Sequence, residues 1–279
     1  MSANNSKSKV SLYLITSGYL LYIILLLLSF LLLDTAKIKR LLIDVHFYFL
    51  EINFFLIILG FILISPFIKN LILTIPRKII YLLLGIAIGG ALITSCIAPQ
   101  THRIYYDEDI YQNVGQNLAE LQKAQLCNNG GTSFGVYSCQ EGFYNKQPYG
   151  YPYLLSIIYR IFDVSETAAF IFNNILLAVS AIVVFLITFL LFKNYIIGLF
   201  SAFIYVLIPQ NLLWFNTTAV EPSSSLFSSL FILSVIIFVK ENSNRSLFLA
   251  VVLASFSIQF RPESFLIIFI GLMGIIIYK

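Results

Sequence analysis

The sequence predicts an all-α polytopic membrane protein, with about eight transmembrane helices and one long extracytoplasmic loop that carries interfacial amphipathic helices. Composition is the first reason: 59% of the residues are hydrophobic and 11% charged, against roughly 25% charged in a soluble domain. No water-soluble core needs so much apolar surface. The second reason is length, because apolar runs of about 20 residues recur, and at ~1.5 Å rise per residue these cross a ~30 Å hydrocarbon layer. The third is periodicity. The runs lack period-2 alternation and backbone groups cannot go unpaired in lipid, so the spans are helices and not barrel strands.

The first run, residues 10–33, is too long for the apolar core of a signal peptide and ends at Asp34 without a small-residue cleavage pattern, so it reads as a retained helix. Further runs follow at residues 47–73, 79–98, 166–192, 195–209, 221–239, 246–260 and 263–278. The last two, around Arg261, read either as separate spans or as one broken helix. Residues 1–78 are a cytoplasmic tail with two extra transmembrane helices, and residues 79–279 form a transmembrane core that includes the loop 99–165.

Orientation follows from Lys and Arg, which are retained on the cytoplasmic side of short flanks. With the N-terminus inside, the cytoplasmic segments hold Lys7, Lys9, Lys69, Arg77, Lys78, Lys193, Lys240, Arg245 and Lys279, and the short outside segments hold only Lys37, Lys39, Arg40 and Arg261. The tight group Lys37, Lys39 and Arg40 dissents. The balance still places the loop outside.

The loop concentrates polar chemistry. Asp107, Glu108, Asp109, Glu120, Glu141 and Asp163 are six of the thirteen acidic residues, and nine of the seventeen tyrosines lie there too. Tyrosine favours the membrane interface, so a loop lying on the bilayer surface explains part of this without any site. Ile110, Val114, Leu118 and Leu121 recur at helical spacing, which predicts an amphipathic helix along the interface with Asp107, Glu108 and Asp109 at its dipole-positive start. The segment YPYLLSIIYRIF from Tyr151 is apolar but too short to span, which predicts a re-entrant or interfacial helix. Cys127 and Cys139 share the loop, and an oxidising compartment favours a disulfide between them over free thiols. The charged residues Glu51, Glu221, Arg261 and Glu263 lie at or near the ends of spans, where they are either functional or simply reach water, with an Arg261–Glu263 pair as a structural alternative. Asn216 to Thr218 form a glycosylation sequon close to the bilayer.

In order, YYDEDIYQNVGQNLAE, YNKQPYGYPYLLSIIYRIFD, TTAVEPSSS and FRPESF resemble the GT-C glycosyltransferases, in particular the group containing protein O-mannosyltransferases and lipid A aminoarabinose transferases. The resemblance runs from about Ile79 to the end. Asp107, Glu108 and Tyr111 match the family's acidic motif, and Lys146 with Pro148 match its Lys-Pro motif, interrupted here by Gln147. Glu221 and Pro222 match an acidic motif at the outer end of a span, and Arg261 with Glu263 match an Arg-x-Glu element. Members continue through more spans, so the chain is expected to be incomplete at its C-terminal end.

The resemblance implies transfer of a sugar from a polyprenyl-phosphate donor to a protein or glycolipid acceptor on the extracytoplasmic face, with inversion at the anomeric carbon. Asp107 or Glu108 would be the catalytic base. Asp109, Tyr111, Lys146, Glu221, Arg261 and Glu263 would bind substrate, and Lys146 and Arg261 would meet the departing phosphate, with Arg103 and His102 as further cations. The three consecutive acids are compatible both with Mg²⁺ or Mn²⁺ and with a solvated helix start. The bilayer and the lipid-linked donor are the expected partners, and nucleic acid is not. A non-catalytic assembly subunit and a transporter or lipid-handling protein are the alternatives; the charges gather at one face and no internal repeat is visible, which favours surface chemistry over passage.

Overall fold

The computed structural model describes residues 34–278, so the run at 10–33 lies outside the described residues. The helices are α1 (Thr35–Thr74), α2 (Arg77–Ile97), α3 (Tyr105–Leu121), α4 (Gly150–Phe162), α5 (Glu166–Phe192), α6 (Tyr195–Leu207), α7 (Pro209–Trp214), α8 (Glu221–Glu241), α9 (Asn244–Ile258) and α10 (Ser264–Tyr278). Among the described residues, α1, α2, α5 and α8 are long and apolar enough to cross a membrane, while α6, α9 and α10 are shorter apolar helices. The protein is therefore a multi-pass membrane protein.

Two helical hairpins close by the same device. Lys193 and Asn242 take left-handed backbone angles and end α5 and α8. The next residues, Asn194 and Ser243, accept backbone N–H groups at the starts of α6 and α9. A left-handed residue followed by a polar cap satisfies carbonyls of one helix and donors of the next within a short turn. The antiparallel pairs α5/α6 and α8/α9 then pack together through α5 against α8, with α2 against α5 and α6, and α1 against α9.

Helix α1 begins twelve residues before the apolar run at 47–73 and is 40 residues long, roughly 60 Å at ~1.5 Å per residue and so about twice the hydrocarbon thickness. Tertiary contacts hold this extension in place. Ala124 N donates to Ile43 O at 2.9 Å, the His46 ring lies 4.6 Å from that of Tyr149, and Lys123 lies 3.8 Å from Asp44. Lys37, Lys39 and Arg40 thus stand on a helical extension at the loop end.

In the loop, α3 and α4 pack against each other. Between them the structure adds what the sequence reading lacked: strands β1 (Leu126–Cys127), β2 (Gly130–Ser133), β3 (Val136–Cys139) and β4 (Gly142–Phe143), paired β1 with β4 and β2 with β3, both antiparallel. These strands are too short to display alternation. Phe134 and Gly135, both at positive φ, form the two-residue turn that suits a twisted hairpin. Cys127 of β1 is joined to Cys139 of β3. Closing a loop of this size should stabilise it by ~3 kcal/mol in the chain-entropy model. Peptide mapping of unreduced protein should recover the linked Cys127–Cys139 pair, and two alkylatable thiols in native protein would contradict it.

Candidate active site

Three helices start at the loop end with an acid in the first turn: α3 with Asp107 and Glu108, α5 with Glu166, and α8 with Glu221. The positive end of a helix dipole favours that placement. Consecutive helical residues diverge by about 100°, so Asp107, Glu108 and Asp109 face three ways. Glu108 is fully buried, Asp107 half-buried and Asp109 exposed. The three therefore do not converge as ligands, and among the described residues no cluster of three His, Cys, Asp or Glu side chains could hold a metal ion.

Glu108 joins the site to the bundle. Its Oε1 accepts from Arg103 N at 2.8 Å and Ile104 N at 3.0 Å, just ahead of its own helix. Its Oε2 accepts from Thr218 N at 3.0 Å, Thr218 Oγ1 at 2.8 Å and His102 Nδ1 at 3.0 Å. The other ring nitrogen of His102 contacts Glu166. A carboxylate beside each ring nitrogen favours the imidazolium form, in which both nitrogens donate. Burial opposes that charge, but the bond to Glu166 and the charge of Glu108 outweigh it and raise the His102 pKa above its ordinary value.

Asp107 accepts a hydrogen bond from the Gln147 amide. This brings the turn carrying Lys146, itself exposed, against the first turn of α3. Tyr111, one turn on, is buried edge-on against Tyr151 with ring centroids 5.8 Å apart. Burial, then the Asp107 carboxylate, push its phenol up to about 12, while the Arg261 charge acts the other way. Tyr111 thus stays a hydrogen-bond donor at neutral pH.

Arg261 pairs with Glu221, not with Glu263. The Arg261–Glu263 alternative fails because Glu263 points to solvent in the turn before α10, while the start of α8 brings Glu221 to the guanidinium. Gly150 fixes this approach: its N–H donates to Gln259 O at 2.7 Å, and a Cβ there would meet the same oxygen at 2.7 Å. Only glycine allows α4 to start so close to the end of α9. The remaining Glu221 oxygen and the Gln147 carbonyl oxygen are buried acceptors without a partner, beside Asp107 and Arg261.

Asp107, Glu221 and Arg261 thus all lie near enough to Tyr111 to act on its phenol, while Lys146, Asp109 and Glu263 are exposed. Sequence reasoning missed Gln147 and Thr218, which contact Asp107 and Glu108; Gln147 had counted only as an interruption of a motif. The sequon at Asn216 to Thr218, expected to face outside but close to the bilayer, is not accessible. Asn216 is fully buried, donating to Ala98 O at 2.7 Å and accepting from Asn174 at 3.0 Å, and so is closed to glycosylation.

The fold and these residues define a multi-pass membrane protein with a group of acids and an arginine at one end of its bundle. Residues 146–279 match the family described as dolichyl-phosphate-mannose-protein mannosyltransferase, which supports a GT-C glycosyltransferase family member. The match contains Lys146, Glu221, Arg261 and Glu263 and begins after Asp107, Glu108 and Tyr111. No curated protein and no solved structure matches the chain.

Because the folded His102 pKa is raised, its contribution to stability is fully present below the unfolded value of 6.5 and is lost as pH rises through the folded value. Thermal midpoints of the parent and His102→Gln measured from pH 5 to 9 should diverge most at the acid end. Parallel curves would remove the imidazolium.

Proposed function

We propose that the protein transfers a sugar from a polyprenyl-phosphate donor to a hydroxyl of a protein or glycolipid acceptor on the extracytoplasmic face, with inversion at the anomeric carbon. In this reading the three shorter apolar helices also cross the bilayer, which with the four longer ones makes seven passes among the described residues. The observation that carries the proposal is that Asp107, Glu221 and Arg261 all lie near enough to act on the Tyr111 phenol, at one end of an apolar bundle, where a donor held in the membrane and an acceptor from water can both arrive. The family match supports the donor class.

Asp107 accepts the proton of the acceptor hydroxyl while that oxygen bonds to the anomeric carbon. The bond from that carbon to the phosphate oxygen breaks, and its electron pair leaves with the lipid phosphate. An anionic leaving group needs cations rather than an acid, and Arg261 and Lys146 supply them. The Arg261 fork is oriented in advance by Glu221, and the unpartnered oxygens of Glu221 and Gln147 suit donor-sugar hydroxyls. Glu108, with both oxygens engaged, positions the α3 turn. Asp109 and Glu263, both exposed, lie on the acceptor side.

Asp107→Asn keeps the shape and removes the base, so turnover of a polyprenyl-phosphate sugar should fall by about 10²- to 10⁴-fold with little change in donor affinity. Near-normal turnover per folded molecule would remove Asp107 from the mechanism. Orientation has its own test. A cysteine at Asn129, in a background lacking Cys127 and Cys139, should react with a membrane-impermeant thiol reagent on intact cells. Labelling only after lysis would put the site on the opposite face.

A further inference from the structure

We infer that the groove between α1 and α4 binds a zwitterionic phospholipid of the phosphatidylethanolamine type, its phosphate on Arg160 and its ammonium on Glu51. The groove is open and offers about 570 Å³ along apolar walls, among them Ile52, Phe55, Ile58 and Ile157, with Glu51, Tyr153 and Arg160 as its polar residues. It does not include Asp107, Glu221 or Arg261. Tyr153, Ile157 and Arg160 stand on the face of α4 opposite Tyr151, Leu155 and Tyr159, and it is Leu155 and Tyr159 that pack against Gly115 of α3.

Both charges are held by their neighbours more than by each other. Glu51 accepts from the Tyr153 hydroxyl at 2.8 Å. Arg160 donates to Ser156 O at 3.2 Å and Ser156 Oγ at 3.3 Å, and its guanidinium lies 5.5 Å from the centre of the Phe47 ring. Between themselves Arg160 and Glu51 stand 3.7 Å apart, with side chains 35% and 48% exposed. That is longer than the ~2.7–2.9 Å of a charge-assisted hydrogen bond, so each retains capacity for a second partner. Glu51 lies only about one helical turn inside the apolar run of α1, the depth at which head groups meet acyl chains.

Charge complementarity selects the occupant. A purely anionic head group on Arg160 would face Glu51, and a purely cationic one on Glu51 would face Arg160. A head group bearing both signs a few bonds apart satisfies the two together, while its chains fill the apolar walls. The inference stands on this geometry and not on the transfer reaction.

Native mass spectrometry of the delipidated full chain, titrated with phosphatidylethanolamine or phosphatidylglycerol of matched chains, tests it. The parent should retain the ethanolamine lipid roughly two- to fivefold better, the size expected of half-exposed ion pairs. Glu51→Gln should abolish or invert that preference while still retaining phosphatidylglycerol on Arg160, an outcome that misfolding does not produce. Arg160→Gln should lower retention of both lipids. A parent without the preference, or a preference that survives Glu51→Gln, overturns the inference.

Discussion

A carboxylate removed from water costs several kcal/mol unless its lone pairs are met by donors, and Glu108 is wholly buried. Its charge is tolerable only where the backbone of residues 103 and 104, the Thr218 turn and His102 converge on it. That requirement docks three segments at once: the tether after α2, the start of α3 and the turn before α8. Asp107 and Glu221 are carried on two of them, so the spacing between the proposed base and the arginine's partner follows from satisfying a different carboxylate.

The same economy of constraint recurs beside Arg261. The Gly150–Gln259 hydrogen bond sets the start of α4 against the end of α9, two residues before Arg261. A guanidinium is a rigid fork, and a fixed carboxylate partner leaves it less freedom to lose when a phosphate arrives. The charged group is thus assembled by helix ends, where unpaired backbone groups and dipole fields favour charge. The helix middles supply the apolar packing that holds those ends in register.

Burial also divides the polar residues by role. The amides of Asn173, Asn174 and Asn216 bond to the turn before α8, to each other and to the last carbonyl after α2. Their N–H groups tie these segments together inside the bundle, although the carbonyl oxygens of Asn173 and Asn174 are buried without a partner. Read in one dimension, Asn216 opens a sequon close to the bilayer and Gln147 breaks a motif; in three, one joins two turns and the other bonds the proposed base.

The sequence by itself determined the membrane class, the polar loop, the positions of α3 and α4, and the acids at helix starts. These follow from run length, periodicity and dipole preference, which act over a few residues. Only the tertiary structure decided partners. Glu108 meets Thr218 across 110 positions, Glu51 meets Tyr153 across 102, and Arg261 chooses Glu221, 40 positions away, over its near neighbour Glu263. The physical reason is that a charge takes the counter-charge that helix docking brings within reach, and docking is set by the packing of whole apolar faces, which short-range pattern does not encode.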